Sequence, residues 1–66
     1  MTSQEAMDAA KNMRQIHYDG MVFRRIVQFG LEFNEKGEAR YFVQLLGQNG
    51  NSVVLAPLHL CEVKWS

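Results

Sequence analysis

The chain is 66 residues long, which suits one domain and is too short for two. Seven Lys and Arg residues balance seven Asp and Glu residues, so the chain lacks the positive field typical of nucleic-acid-binding domains. The single cysteine, Cys61, excludes an internal disulfide and a cysteine-rich zinc site, and it fits a reducing compartment. No apolar run is long enough for a signal peptide or a membrane span, so we expect a cytoplasmic protein.

A short amino-terminal helix is predicted over residues 3–14. Thr2 and Glu5 have the spacing of a capping box, in which each side chain accepts a hydrogen bond from the other residue's backbone N–H. The residues that follow place a narrow stripe of mostly small apolar side chains on one helical face: Ala6, Ala9, Ala10 and Met13.

The longest pattern in the chain is an alternation over residues 21–33. Odd-numbered positions are apolar except Arg25, and even-numbered positions are mostly polar or small, which is typical of a half-buried strand. At ~3.3 Å per residue, a straight strand would span about 40 Å, too much for a domain of this size. We therefore expect the strand to bend, and Gly30 is the residue that permits a bulge or kink.

Turns on both sides of this segment set its partners. Asp19-Gly20 predicts a hairpin with a short first strand over residues 15–18. After the long strand, Gly37 stands where a hairpin turn needs positive φ, and a strand over residues 39–47 follows. The two hairpins predict these cross-strand pairs: Ile16–Phe23, His17–Val22 and Tyr18–Met21 in the first, and a continuous ladder from Phe33–Ala39 to Val27–Leu45 in the second.

The carboxyl-terminal part of the chain completes the predicted sheet. Asn49-Gly50 predicts a tight turn into a strand over residues 52–56, which would place Leu45 opposite Val54. Pro57 should end this ladder, because proline donates no hydrogen bond. A 3₁₀ turn and a last strand over residues 61–65 would follow, and pairing of that strand with the first one would close a barrel.

This order of elements resembles the small five-stranded barrels of the SH3-like and Sm-like kind over most of the chain. The likeness is one of architecture and not of motif. Peptide-binding SH3 domains carry a mid-chain tryptophan pair, whereas the only tryptophan here is Trp65, and the RNA-binding motif of Sm-like proteins is absent. The predicted fold is therefore a single α+β domain over residues 1–66, mainly β with an amino-terminal helix, built as an antiparallel meander or barrel.

Candidate chemical groups are few. His17, His59 and Cys61 are the only plausible soft metal ligands, and pairing of the first and last strands would bring them together. A His-x-Cys spacing is a weak signal, and a buried cysteine usually behaves as a small hydrophobic residue. The sequence has neither a nucleophile elbow nor a Gly-rich phosphate loop. We therefore predict no metal, no cofactor and no enzymatic activity.

A second apolar row is predicted on the outer face of the sheet, where an antiparallel sheet with one wet face should be polar. Either the helix, a second copy or another protein must cover this row. Its members are Ile26, Phe42, Leu46, Val53 and Leu55.

The excess of apolar surface predicts a protein-interaction module whose partner is another protein or a second copy, in a homodimer or larger homo-oligomer, with no membrane contact. The alternative is a weak RNA- or DNA-binding barrel. Arg25, which interrupts the apolar row, would either extend to water or contact a phosphate or carboxylate. The candidate nucleic-acid contacts are Arg24, Arg25, Lys36, Arg40 and Tyr41.

Overall fold

The computed structural model describes residues 1–64, which form a mainly β fold with one amino-terminal helix. In chain order the elements are α1 (Ser3–Lys11), β1 (Ile16–Tyr18), β2 (Met21–Phe23), β3 (Arg25–Phe33), β4 (Ala39–Leu46), β5 (Val53–Pro57), a 3₁₀ turn (Leu58–Leu60) and β6 (Glu62–Val63).

The strands form two antiparallel sheets of three strands each, in the orders β2-β1-β6 and β3-β4-β5. The prediction of one closed five-stranded barrel is not confirmed, because in residues 1–64 no strand pairing joins the two sheets. The predicted long strand is interrupted at Arg24, so that β2 pairs with β1 and β3 pairs with β4. The last strand does return to the first, as predicted, with Ile16 opposite Val63.

Most of the predicted register is confirmed. The first hairpin pairs Ile16 with Phe23 and Tyr18 with Met21. The β3–β4 ladder matches the prediction from Phe33–Ala39 to Gln28–Gln44, and the β4–β5 ladder includes Leu45–Val54 and Val43–Ala56. Gly37 and Gly50 have φ values of +78° and +76°, the left-handed conformation that each turn needs. The β4–β5 loop is wider than predicted, since Gly47 N–H donates to the Ser52 carbonyl around four loop residues, but the register is unchanged.

The prediction is wrong at the start of β3, where a β-bulge lies between Ile26 and Gln28. Leu45 pairs with Ile26 instead of Val27, so Ile26 is buried and Val27 is 38% exposed. A bulge inserts one extra residue and exchanges the faces of all residues beyond it. Ile26 was predicted on the outer face, and the bulge places it in the core.

Gly30 has a different role from the predicted bend. The long segment changes direction at Arg24 and at the bulge, while Gly30 continues the ladder opposite Phe42. The Phe42 ring lies directly over the glycine: a Cβ added at Gly30 would stand 2.5 Å from Cζ of Phe42. The predicted ladder places Phe42 opposite Gly30, and this pair is confirmed.

The helix begins as predicted and ends three residues early. Glu5 N–H donates to Oγ1 of Thr2 and Thr2 N–H donates to Oε1 of Glu5, which completes the capping box. The hydrogen bond that the Glu5 carboxylate accepts from the Thr2 backbone N–H is the main cause of a lowered pKa of Glu5. The chain leaves the helix at the C-cap residue Asn12, and Met13 has a φ of +52°, so Met13 points away from the predicted apolar stripe and is exposed.

The core lies between α1 and the inner faces of the two sheets. Ala6 and Ala9 are buried there, and their small side chains allow the helix to approach β3 closely. The remaining buried members of the core are Ile16, Phe23, Ile26, Val43, Leu45, Ala56, Leu58 and Cys61. Among the described residues of the predicted strand over 61–65, the strand is Glu62–Val63, and Trp65 lies outside the described residues.

Candidate interaction surface

The outer face of the β3-β4-β5 sheet is the side opposite the core. Alternation along the strands places Phe42 and Leu46 of β4 on this side, together with Val53 and Leu55 of β5. We call these four residues the outer patch. Phe42 and Leu46 are half-buried, whereas Val53 and Leu55 are 52% and 56% exposed. The helix packs on the core side, so it does not cover the outer patch.

Four of the five predicted interaction residues thus share a face. Phe42 lies opposite Gly30 on one side and Pro57 on the other, while Leu46 lies opposite Val53. Gln44 and Leu55 form the row between them. Ile26 is excluded from this surface because it is only 3% exposed.

The distal half of the β3–β4 hairpin was not predicted as a surface. Every residue from 31 to 41 is exposed, and we call this segment the hairpin arm. The chain is elongated, with principal extents of 37 × 23 × 20 Å. Leu31, Phe33 and Tyr41 continue the inner face of the sheet beyond the core, and they are 46%, 68% and 49% exposed. Alternation alone assigns them to the core, since it does not tell how far the helix extends over the strands.

Phe29 marks the boundary between the core and the hairpin arm. Its side chain is half-buried, and its ring stacks on the Tyr41 ring with centroids 5.3 Å apart. Stacking at this distance stabilises the base of the arm.

The candidate nucleic-acid contacts are divided between the two ends of the hairpin. Arg24 and Arg25 are at the start of β3, and the Arg24 guanidinium lies beside Gly50 of the β4–β5 loop. Arg40 and Tyr41 are about 20 Å away along β4, at ~3.3 Å per residue. Arg40 stands opposite Glu32, and Lys36 lies in a turn between Glu35 and Glu38. The arrangement therefore gives two short basic segments, and the distal one is neutralised by carboxylates.

The candidate metal ligands do not form a site. Within residues 1–64, no group of three or more His, Cys, Asp or Glu side chains is arranged to hold a metal ion. His17 and His59 are exposed, whereas Cys61 is fully buried and its Sγ donates to the Pro57 carbonyl over 3.3 Å. Burial raises the pKa of the Cys61 thiol, so the nucleophilic thiolate is disfavoured.

Comparison with protein-family models, with curated proteins and with solved structures gives no match to this chain. Among the described helices, none has the length and apolar character needed to cross a membrane. The surfaces of the domain itself are therefore the basis for assigning a function.

Proposed function

We propose that the chain is a small protein-interaction domain that acts by binding another protein, including a second copy of itself, and not by catalysis. The observation that carries the proposal is the uncovered outer patch. α1 lies on the core side, so Val53 and Leu55 of the outer patch remain more than half exposed. Apolar side chains grouped on one face are typical of protein contact sites.

The charge distribution supports a protein partner over a nucleic acid. Binding to a phosphate backbone requires several cations along one surface, because each phosphate contact releases a counterion. Arg24 and Arg25 are separated from Arg40 by most of the length of β4, and Glu32 stands opposite Arg40. The RNA- or DNA-binding alternative therefore has less support than protein binding.

The proposal includes the architecture inferred from the sequence. Taken as one interrupted strand, β2 and β3 serve both sheets, as the long second strand does in SH3-like and Sm-like barrels. Counted this way, residues 1–64 contain five strands, and the last of these pairs with the first. Such a scaffold suits a binding domain, although shared architecture alone does not imply shared function.

Site-specific photo-crosslinking tests the proposal. A photoreactive phenylalanine analogue replaces Leu55 in the outer patch, and in a control protein it replaces Gln4 on the exposed side of α1. The probe proteins are irradiated in an extract of the cells that produce the chain. We expect a discrete adduct of one protein, or of the chain with itself, from position 55 and none from position 4.

A competition experiment distinguishes a specific contact from non-specific binding. Unlabelled native protein should abolish the adduct, whereas Leu55→Lys should not, because a lysine there brings a charge that must be desolvated on binding. Gln4→Lys adds the same charge away from the patch and should compete like the native protein. Failure to form an adduct, or equal competition by Leu55→Lys, would refute the proposal.

A further inference from the structure

We infer that one partner of this domain is a second copy of the chain, bound by antiparallel pairing of β3 in one copy with β3 in the other. The inference rests on the proposed function, since it names one partner of an interaction domain and the strand edge that receives it. It uses the free edge of the sheet, and it leaves the outer patch uncovered.

β3 is an edge strand with main-chain groups directed outward. Within residues 1–64 it pairs only with β4. Asn34 N–H donates to the Glu38 carbonyl, which identifies this pair as hydrogen-bonded. Hydrogen-bonded and non-hydrogen-bonded pairs alternate along an antiparallel ladder. Counting back from Asn34, Phe33, Leu31 and Phe29 belong to non-hydrogen-bonded pairs, so their N–H and C=O groups point away from β4 to the open edge. An open edge of this kind is a template for another strand.

The charges of β3 are complementary to those of a second, antiparallel β3. Arg25 is its first residue, and Glu32 is its last but one. A two-fold axis at Phe29 pairs Gln28 with Gly30 of the second copy. Val27 is the extra residue of the bulge and has no partner of its own. The next pair of residues on the outer face is therefore Arg25 with Glu32 of the second copy. Symmetry makes this opposite-charge pair twice.

The positions of exposed apolar residues support the same register between the two copies. Leu31 of one copy lies opposite the bulged segment of the other, where Val27 is 38% exposed. The chain has no net charge, so two copies approach without long-range repulsion. A two-fold axis perpendicular to the sheet would produce one six-stranded sheet with both outer patches on the same side.

The other edge of this sheet lacks such complementarity. β5 has the sequence Val-Val-Leu-Ala-Pro, with no charge to select a register, and Pro57 offers no N–H. The observations therefore favour β3 as the edge that recognises a second copy.

A charge-exchange experiment tests the pairing directly. Sedimentation equilibrium of the full chain is measured from about 10 µM to about 1 mM, a range that covers weak dimers. Arg25→Glu and Glu32→Arg each convert two attractive pairs into two repulsive ones, so each should weaken the dimer by about tenfold or more. An equimolar mixture of the two variants should form a heterodimer, because at both contacts a carboxylate of one variant would then face a guanidinium of the other. The double variant should dimerise like the native chain.

A matched control separates this contact from local effects in one chain. Glu32 faces Arg40 within its own hairpin, so Glu32→Arg also creates a like-charge pair there. Arg40→Glu creates a like-charge pair at the same place without changing the pairing between copies, and it should leave the dimer intact. Circular dichroism checks that every variant is folded. If Arg25→Glu unfolds, Arg25→Gln replaces it, and the mixture should then recover only part of the dimer affinity, because one of its two contacts lacks a carboxylate.

The outcomes distinguish this inference from the proposed function. A native chain that is monomeric at every concentration, or single variants that do not recover on mixing, would overturn the β3 pairing. The crosslink from position 55 should be unaffected, since Leu55 is on β5, at the opposite edge of the sheet from the exchanged charges on β3. Recovery of the dimer in the mixture supports the pairing, whatever the partner of the outer patch is.

Discussion

Gly30→Ala probes the contact between β3 and the half-buried Phe42 ring. The new methyl carbon would stand 2.5 Å from Cζ and 2.7 Å from Cε1 of that ring. Carbon atoms in contact are normally about 3.5–4.0 Å apart, so the ring must move outward by about 1 Å or more. Displacement of Phe42 would expose the ring, which lies on the same face as Pro57, the residue opposite it on β5.

Two opposing effects determine how much Gly30→Ala changes the free energy of unfolding. Overpacking of this kind costs about 1–3 kcal/mol, whereas replacing a strand glycine by alanine gains about 0.5–1 kcal/mol in backbone entropy. We expect a net loss of about 1–2 kcal/mol in the free energy of unfolding. In a Phe42→Ala background the ring is absent, so only the entropic gain of about 0.5–1 kcal/mol should remain.

The sign of the effect should therefore reverse between the two backgrounds. Urea unfolding followed by circular dichroism gives the four free energies of the double-mutant cycle. If Gly30→Ala destabilises the protein equally with and without the Phe42 ring, then the ring contact is not the cause and the reasoning fails.

Two further predictions concern the core and the helix cap. Leu45→Ala should lower the free energy of unfolding by about 2–5 kcal/mol, because Leu45 is fully buried. Leu60→Ala, at an exposed position, should change it by less than about 0.5 kcal/mol. Comparable urea midpoints for the two variants would contradict the assigned core. The Glu5 pKa is lowered by its hydrogen bonds with Thr2, so its stabilising effect is present above the unfolded-state pKa and is lost as the pH falls through the folded-state pKa. Acid titration of thermal stability should therefore be less steep in Glu5→Gln than in the native chain, and parallel curves would show that the capping box contributes nothing to it.

Local turn chemistry explains why much of the fold was predictable. Gly37 and Gly50 have the positive φ that their turns need, and a turn of known length determines every pair in the ladder beyond it. The first hairpin follows from the same reasoning, whereas the return of the last strand to Ile16 was expected only as part of a closing barrel.

The bulge and the hairpin arm were not predictable in this way. Val27 and Ile26 are both β-branched and apolar, so nothing local decides which of them enters the core; packing against Leu45 decides it. The helix ends at Lys11 and covers less of the sheet than a helix over residues 3–14 would. Leu31 and Tyr41 are exposed beyond the helix, near its beginning and not near its shortened end, and alternation along the strands does not reveal this.

The burial of Cys61 makes the native thiol a reporter of local opening. Cys61 connects the 3₁₀ turn to β6, and its carbonyl accepts a hydrogen bond from the Met1 amino group. A thiol reagent reaches Sγ only when this junction separates, because the side chain has no exposed surface. When closing is faster than labelling, the ratio of the labelling rate to that of the unfolded chain gives the free energy of opening. The stability of this junction is therefore measurable in the unmodified protein, without an added probe.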